Sequence, residues 1–150
     1  MAVFVSSSSK DRAFVRRSTA ELERHSIEVW VDERELRAGE SLTSISNAIA
    51  EAEFLVVVVS KAAANSFWVQ QEIDLADDAD VPVLPLLVED VPPARAPTLG
   101  ETAHVDFRRP AEYRRAAHRL VYRSQGMAAG GRFLHAKEAV LLVRRERAPA

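Results

Sequence analysis

The chain has no cysteine in its 150 residues, which excludes disulfides, thiolate nucleophiles and zinc-thiolate sites outright. It has no apolar run long enough to cross a bilayer, and no membrane contact is expected. Nor does it carry a strong charge of one sign. The formal net charge of −2 gives no global attraction to nucleic acid or to an acidic membrane surface, and no nucleic-acid contact is expected. No GxGxxG and no P-loop is present, so neither device holds a nucleotide here. His25, His104, His118 and His135 are scattered without a pair at metal-ligand spacing, and no metal is expected. The opening Met1-Ala-Val-Phe-Val5 meets Ser6 to Lys10 too early for a secretory signal, so the expected location is cytoplasmic.

What is there describes a soluble globular chain: 47% hydrophobic and 28% charged residues, enough for a real core in one domain of common size. Charge is uneven along it. Residues 1–122 carry 14 Lys and Arg against 20 Asp and Glu, whereas residues 123–150 carry 6 against 2. The change falls at Ser124-Gln-Gly-Met-Ala-Ala-Gly-Gly131, whose composition reads as a flexible joint. We therefore expect a domain over residues 1–122 and, over 123–150, a joint followed by a basic helix. That helix, Arg132 to Arg147, places Phe133, Ala136, Val140 and Val143 on one side and is expected either to lead to a further domain or regulatory partner beyond residue 150 or to serve as a packing extension.

Within residues 2–122, strand-like and helix-like segments alternate. Strands are predicted at Ala2–Ser6, Ile27–Val31, Phe54–Val59, Val81–Leu87 and Ala103–Phe107. Phe54-Leu-Val-Val-Val-Val59 has no polar residue on either face, the pattern of a parallel strand covered on both sides. Between the strands, helices are predicted with Phe14, Ser18 and Leu22 on one face, then Leu42, Ile45, Ile49 and Ala52, then Val69, Ile73 and Ala76. After Pro110 a last helix carries Tyr113, Ala116, Ala117, Leu120 and Val121. Such alternation implies a parallel sheet with right-handed crossovers. For this size we predict a flavodoxin-like α/β fold, with five strands in the order 2-1-3-4-5 and helices on both faces. The loops after the first and third strands would then meet across one crevice.

Three segments bear on chemistry. Val3-Phe-Val-Ser-Ser-Ser-Ser-Lys-Asp11 opens from strand into a hydroxyl-rich turn, whose serines serve either as ligand donors or simply as helix caps. Ile27 to Leu42 runs from strand into a charged loop with Gly39, before Ser41 as a cap; its charges are either solvated surface or a contact face. Asn65-Ser-Phe-Trp-Val-Gln-Gln-Glu-Ile73 starts a helix near Ser66 and puts Trp68 and Glu72 on one face, four residues apart. Trp68 as core and Glu72 as a surface acid is the bland alternative.

Together, in this order, the segments VFVSSSSKDRAFV, VWVDERELRAGESL and VVVVSKAAANSFWVQQEI resemble the Toll/interleukin receptor (TIR) domain, in particular its bacterial NAD-cleaving members. VPVLPLLVEDVP and HVDFRRP extend the likeness over residues 2–122. The resemblance implies cleavage of NAD⁺, a substrate rather than a cofactor, at the nicotinamide–ribose bond, with Glu72 as the catalytic group four residues after Trp68. It implies substrate contacts from Ser6, Ser7, Ser8, Ser9, Asp32, Leu36, Arg37 and Trp68. It also implies homotypic TIR–TIR assembly through the loop Asp32–Ser41, with Glu35, Arg37, Gly39 and Glu40 at the contact, and a role as an effector of bacterial immunity. Many relatives have Ser-Tyr where this chain has Ser6-Ser7, and arginine or histidine where Ser8 and Ser9 stand, which weakens the expected contacts without touching Glu72.

Such chemistry asks for little machinery. Nicotinamide is a cationic leaving group that departs neutral, so no acid has to protonate it, and a carboxylate stabilises the positive charge that develops on the ribose. The rival reading is a non-catalytic TIR module that signals by homotypic contact; the intact Trp68 and Glu72 pair favours the enzyme. A receiver-like phosphoacceptor domain is set aside, because the end of the first strand lacks a cluster of aspartates and Asp11 stands too far along.

Overall fold

The structure, a computed structural model, describes residues 2–31, 42–90, 104–125 and 139. The elements are β1 (Ala2–Ser6), α1 (Arg12–Arg24), β2 (Glu28–Val31), α2 (Leu42–Glu51), β3 (Phe54–Val59), α3 (Lys61–Ala64), α4 (Phe67–Asp78), β4 (Val83–Leu87), β5 (Val105–Asp106) and α5 (Tyr113–Ser124). Short 3-10 turns, Ser9–Asp11 and Pro110–Glu112, lead into α1 and α5. All pairings are parallel and the strand order is β2-β1-β3-β4-β5, the five-stranded flavodoxin-like α/β arrangement that the alternation predicts.

Strand β3 shows why a six-residue apolar run is required at the centre. Leu55, Val57 and Val59 pack with Phe4, Ile45, Ile49, Val69, Ile73 and Ala76 on the α2 and α4 side. Phe54, Val56 and Val58 pack with Val3, Val5, Val15, Leu22, Ala117 and Leu120 on the α1 and α5 side. Successive side chains point to opposite faces, and here both faces are interior. Ala139 is also buried, at 1% exposure, within the α2 and α4 side of the core. The other residues of the basic helix predicted from Arg132 to Arg147 lie outside the described residues.

Several boundaries differ from the sequence expectation. β2 starts at Glu28 rather than Ile27, and β4 at Val83 rather than Val81, because Ile27 and Val81 close the preceding helices. Ile27 N–H donates to Leu22 O at 3.1 Å and Val81 N–H to Ala76 O at 2.9 Å. In both turns the residue before, Ser26 at φ 62 and Asp80 at φ 56, takes the left-handed conformation of a Schellman cap without being glycine. Among the described residues β5 is only Val105–Asp106, paired with β4 at Leu86 and Leu87, and Ala103 of the expected strand lies outside them. Among the described residues no strand pairs with β4 on that side at Pro85, where a residue without an N–H is tolerated. On α1 the buried apolar positions are Val15 and Leu22 with Ser18, while Phe14 is half-buried and meets Phe107 edge-on at 5.0 Å. The stretch after β3, read as a loop, folds as the single-turn helix α3, with Ser60 as its cap accepting from Ala63 N–H at 3.0 Å.

Candidate active site

The strand order reverses between β1 and β3, so the turns leaving these two neighbours diverge and open a crevice at the C-terminal end of the sheet. Small polar residues fill both turns because each has backbone donors to satisfy. Ser8 caps the 3-10 turn, its hydroxyl accepting from Lys10 N–H at 3.3 Å. Across the crevice Ser60 caps α3 and donates its own hydroxyl proton to Asp11 Oδ2. Lys61 N–H, at the start of α3, donates to Glu89 Oε1 at 3.2 Å, which ties the turn after β4 to the same place. Ser66 caps α4 by accepting from Val69 N–H at 3.3 Å, so α4 starts at the crevice.

These turns border an open cavity of about 620 Å³, lined by Ser8, Lys10 and Asp11 from the first turn, Lys61 to Trp68 in part from the second, and Glu89. Its volume suits an organic ligand of moderate size. Phe67 and Trp68 form an edge-to-face pair in its wall, with ring centres 5.2 Å apart and planes at 73°. Partial burial raises the Asp11 carboxyl above the usual carboxylate range; the Ser60 hydrogen bond pulls the other way, and the nearby Glu89 charge adds to the rise. A second cleft of about 520 Å³ shares Lys61 and Glu89 with the first and continues over Val88, Asp90, Arg108 and Arg109. There Arg108 grips Asp106 with Nε and Nη2, both at 2.9 Å, and reaches Asp90 Oδ1 at 3.1 Å with Nη1. The guanidinium holds the Asp106 carboxyl down at about 2.

Glu72 is not among the residues that line the cavity. It stands one helical turn after Trp68 on α4 and is 1% exposed, and the Ser6 hydroxyl donates to its Oε1 at 2.7 Å. Ser6, the last residue of β1, is itself fully buried. A carboxyl group placed this deep needs polar company, because burying an unpartnered ionisable group is costly. Its position also separates the expected residues into groups. Ser8 and Trp68 line the cavity. Ser6, expected to touch the substrate, is enclosed and faces Glu72 instead. Ser7 is half-buried and Ser9 exposed, and neither is among the residues lining the cavity. Asp32, Glu35, Leu36, Arg37, Gly39 and Glu40 lie outside the described residues.

The sequence reading missed Phe67, Ser60, Lys61 and Glu89 as parts of this place, and used Asp11 only to reject another fold. Ser60 was discoverable: a serine directly after an apolar strand and before Lys-Ala-Ala-Ala is a cap signal. Glu89 had no such signal, since only the β3–β4 pairing brings it beside α3. Among the described residues no group of three or more His, Asp or Glu is placed to hold a metal ion, and no helix is long and apolar enough to cross a membrane.

Comparison with known proteins agrees with this fold. A family model described as TIR domain matches residues 3–121. Among solved structures, the chain is similar to the TIR domains of the activated Roq1 resistosome directly recognising the pathogen effector XopQ. The identity there is 22%, with 80% of this chain and 96% of that chain covered and a TM-score of 0.61. It is also similar to the TIR domain of the Toll-related receptor TRR-2 from Hydra magnipapillata, at 19% identity, covering 83% of this chain and 98% of that one, with a TM-score of 0.64. No curated protein sequence matches the chain.

Proposed function

The chain belongs to the TIR domain family, and from that premise we propose that it is an NAD⁺ nucleosidase whose catalytic group is Glu72. The observation that carries the reading is a carboxylate on α4, held by Ser6 at 2.7 Å and set one turn behind Trp68 in the wall of the switch-point cavity. A carboxylate needs no partner acid for this reaction. The bond from ribose C1′ to the nicotinamide nitrogen breaks with its electron pair going to the ring, which leaves neutral. Positive charge develops on the ribose, and Glu72 stabilises it. Water then adds to C1′ and releases a proton, giving ADP-ribose; capture by an adenine nitrogen or a ribose hydroxyl gives a cyclic product. Ser6 acts through Glu72, fixing the carboxyl rather than touching the substrate.

The near-complete burial of Glu72 supports a second element of the proposal. A ribose in the cavity reaches the carboxylate only when part of the wall moves, so the arrangement described is a resting one. Homotypic assembly through residues 32–41 is the proposed trigger, and the likeness to TIR domains from an activated resistosome is in keeping with it. The isolated chain is then nearly silent when dilute and gains activity per molecule as it associates. The test is NAD⁺ consumption by concentrated protein with products separated by chromatography; an inert protein under forced association turns the reading to the non-catalytic scaffold.

A further inference from the structure

Phe67 is the most exposed large apolar side chain among the described residues, at 64%. The fold does not account for it. It is the first residue of α4, directly after the Ser66 cap, and lies off the buried stripe of Val69, Glu72, Ile73 and Ala76. Helix propensity does not favour phenylalanine there, and leaving the ring in water forgoes the stabilisation its burial would give. Its position is nevertheless specific. The ring lines the cavity beside Trp68, edge-to-face at 73°, so the two planes make an aromatic corner in its lining. A corner of this shape accepts one flat ring, stacked on one wall with its edge against the other.

We infer that Phe67 is a substrate-contacting residue that takes the nicotinamide ring of NAD⁺ against its open face, with Trp68 as the second wall. The inference rests on the NAD⁺ reading of this site and identifies which end of the dinucleotide the aromatic corner holds. Two considerations select nicotinamide over adenine. Glu72 lies one turn from Trp68 on the same helix, and the bond to be broken joins nicotinamide to its ribose, so the base nearest this helix is nicotinamide. The ring also bears a permanent positive charge, which an aromatic face attracts and a neutral purine does not share. The charged lining does not choose between the bases, since it carries Lys10 and Lys61 as well as Asp11 and Glu89. Once the bond breaks the ring is neutral and that attraction is lost, so the same corner that gathers the substrate releases the product.

The test compares wild type, Phe67→Leu and Phe67→Tyr in the full chain. Steady-state NAD⁺ cleavage is measured under associating conditions, with nicotinamide mononucleotide and adenosine monophosphate as competing probes. For Phe67→Leu the expected result is a KM for NAD⁺ and an inhibition constant for nicotinamide mononucleotide each raised about five- to tenfold. The rate constant kcat, the melting temperature and the inhibition constant for adenosine monophosphate stay unchanged, and Phe67→Tyr restores wild-type values. Equal KM in an active wild type and an active Phe67→Leu overturns this inference alone. Weaker adenosine monophosphate with unchanged nicotinamide mononucleotide overturns it too, by giving the corner to adenine. A wild type that neither cleaves NAD⁺ nor binds either probe removes the NAD⁺ reading and this inference together.

Discussion

The Ser6 hydroxyl donates to Glu72 Oε1 at 2.7 Å, joining the end of β1 to the second turn of α4 across 66 residues of sequence. Both side chains are enclosed, so this contact adds a polar link to the apolar packing between the sheet and the helix that carries Trp68 and Phe67. Replacing Ser6 by alanine leaves the carboxyl without that donor in a buried place. We expect a stability loss of about 1–3 kcal/mol. On the proposed reading Ser6 acts on Glu72 and not on the substrate, so kcat is expected to fall on the order of tenfold while KM holds. A urea melt and steady-state kinetics on Ser6→Ala check both halves; a raised KM with normal kcat would instead make Ser6 a substrate contact.

Two carboxylates give the protein opposite pH signatures. Asp106 is held at about 2, below its ordinary 3.8, by the Arg108 hydrogen bonds first of all. Its folded-state value is depressed, so its contribution is fully present above the ordinary value and is lost as the pH falls through about 2. The pair is largely solvated, which limits that contribution to under ~1 kcal/mol. Asp106→Asn should therefore be less stable than wild type at neutral pH and converge with it in acid, as read by denaturant melts across the acid range.

Asp11 behaves in the reverse sense, because burial raises its value. Its contribution is present below the ordinary carboxylate value and is lost as the pH rises through the raised one. Asp11→Asn, which keeps an acceptor for Ser60, should be as stable as wild type in acid and slightly more stable at neutral pH. Calorimetry at two pH values decides it; a variant less stable at neutral pH contradicts the account.

Ser26 and Asp80 occupy left-handed positions at φ 62 and φ 56 that glycine fills at lower cost. Ser26→Gly should stabilise by about 0.5–1 kcal/mol, seen as a rise of about 1–4 °C in Tm. Neither residue touches the cavity, so NAD⁺ turnover should be unaltered.

The sheet order was legible because each strand announced itself as an apolar segment between amphipathic helices, and β3 most clearly, with Phe54 to Val59 buried throughout. The end of β5 at Asp106 was not. Val105-Asp-Phe107 alternates like any half-buried strand, and only the pairing with β4 shows where it stops. For the candidate site, residue type pointed to the right turns but could not rank neighbours. Ser6, Ser7, Ser8 and Ser9 are identical letters; strand register and the 3-10 turn put the first against Glu72, the third into the cavity wall and the last in solvent. Likewise Phe67 and Trp68 adjoin in sequence, and only the helix start decides that the phenyl ring is the more exposed one. Contacts such as Glu89 with Lys61 are non-local, and no spacing along the chain encodes them.

The most direct measurement is NAD⁺ consumption by Glu72→Gln beside wild type, at high protein concentration, with nicotinamide and ribose products resolved. Glutamine keeps the shape and an acceptor for Ser6 while removing the charge, so the fold should survive. The account predicts nicotinamide release by wild type and a loss of about a hundredfold or more in Glu72→Gln, with an unchanged melting profile. Equal NAD⁺ cleavage by the two proteins would contradict it, because the reaction would then be running without the charge on Glu72.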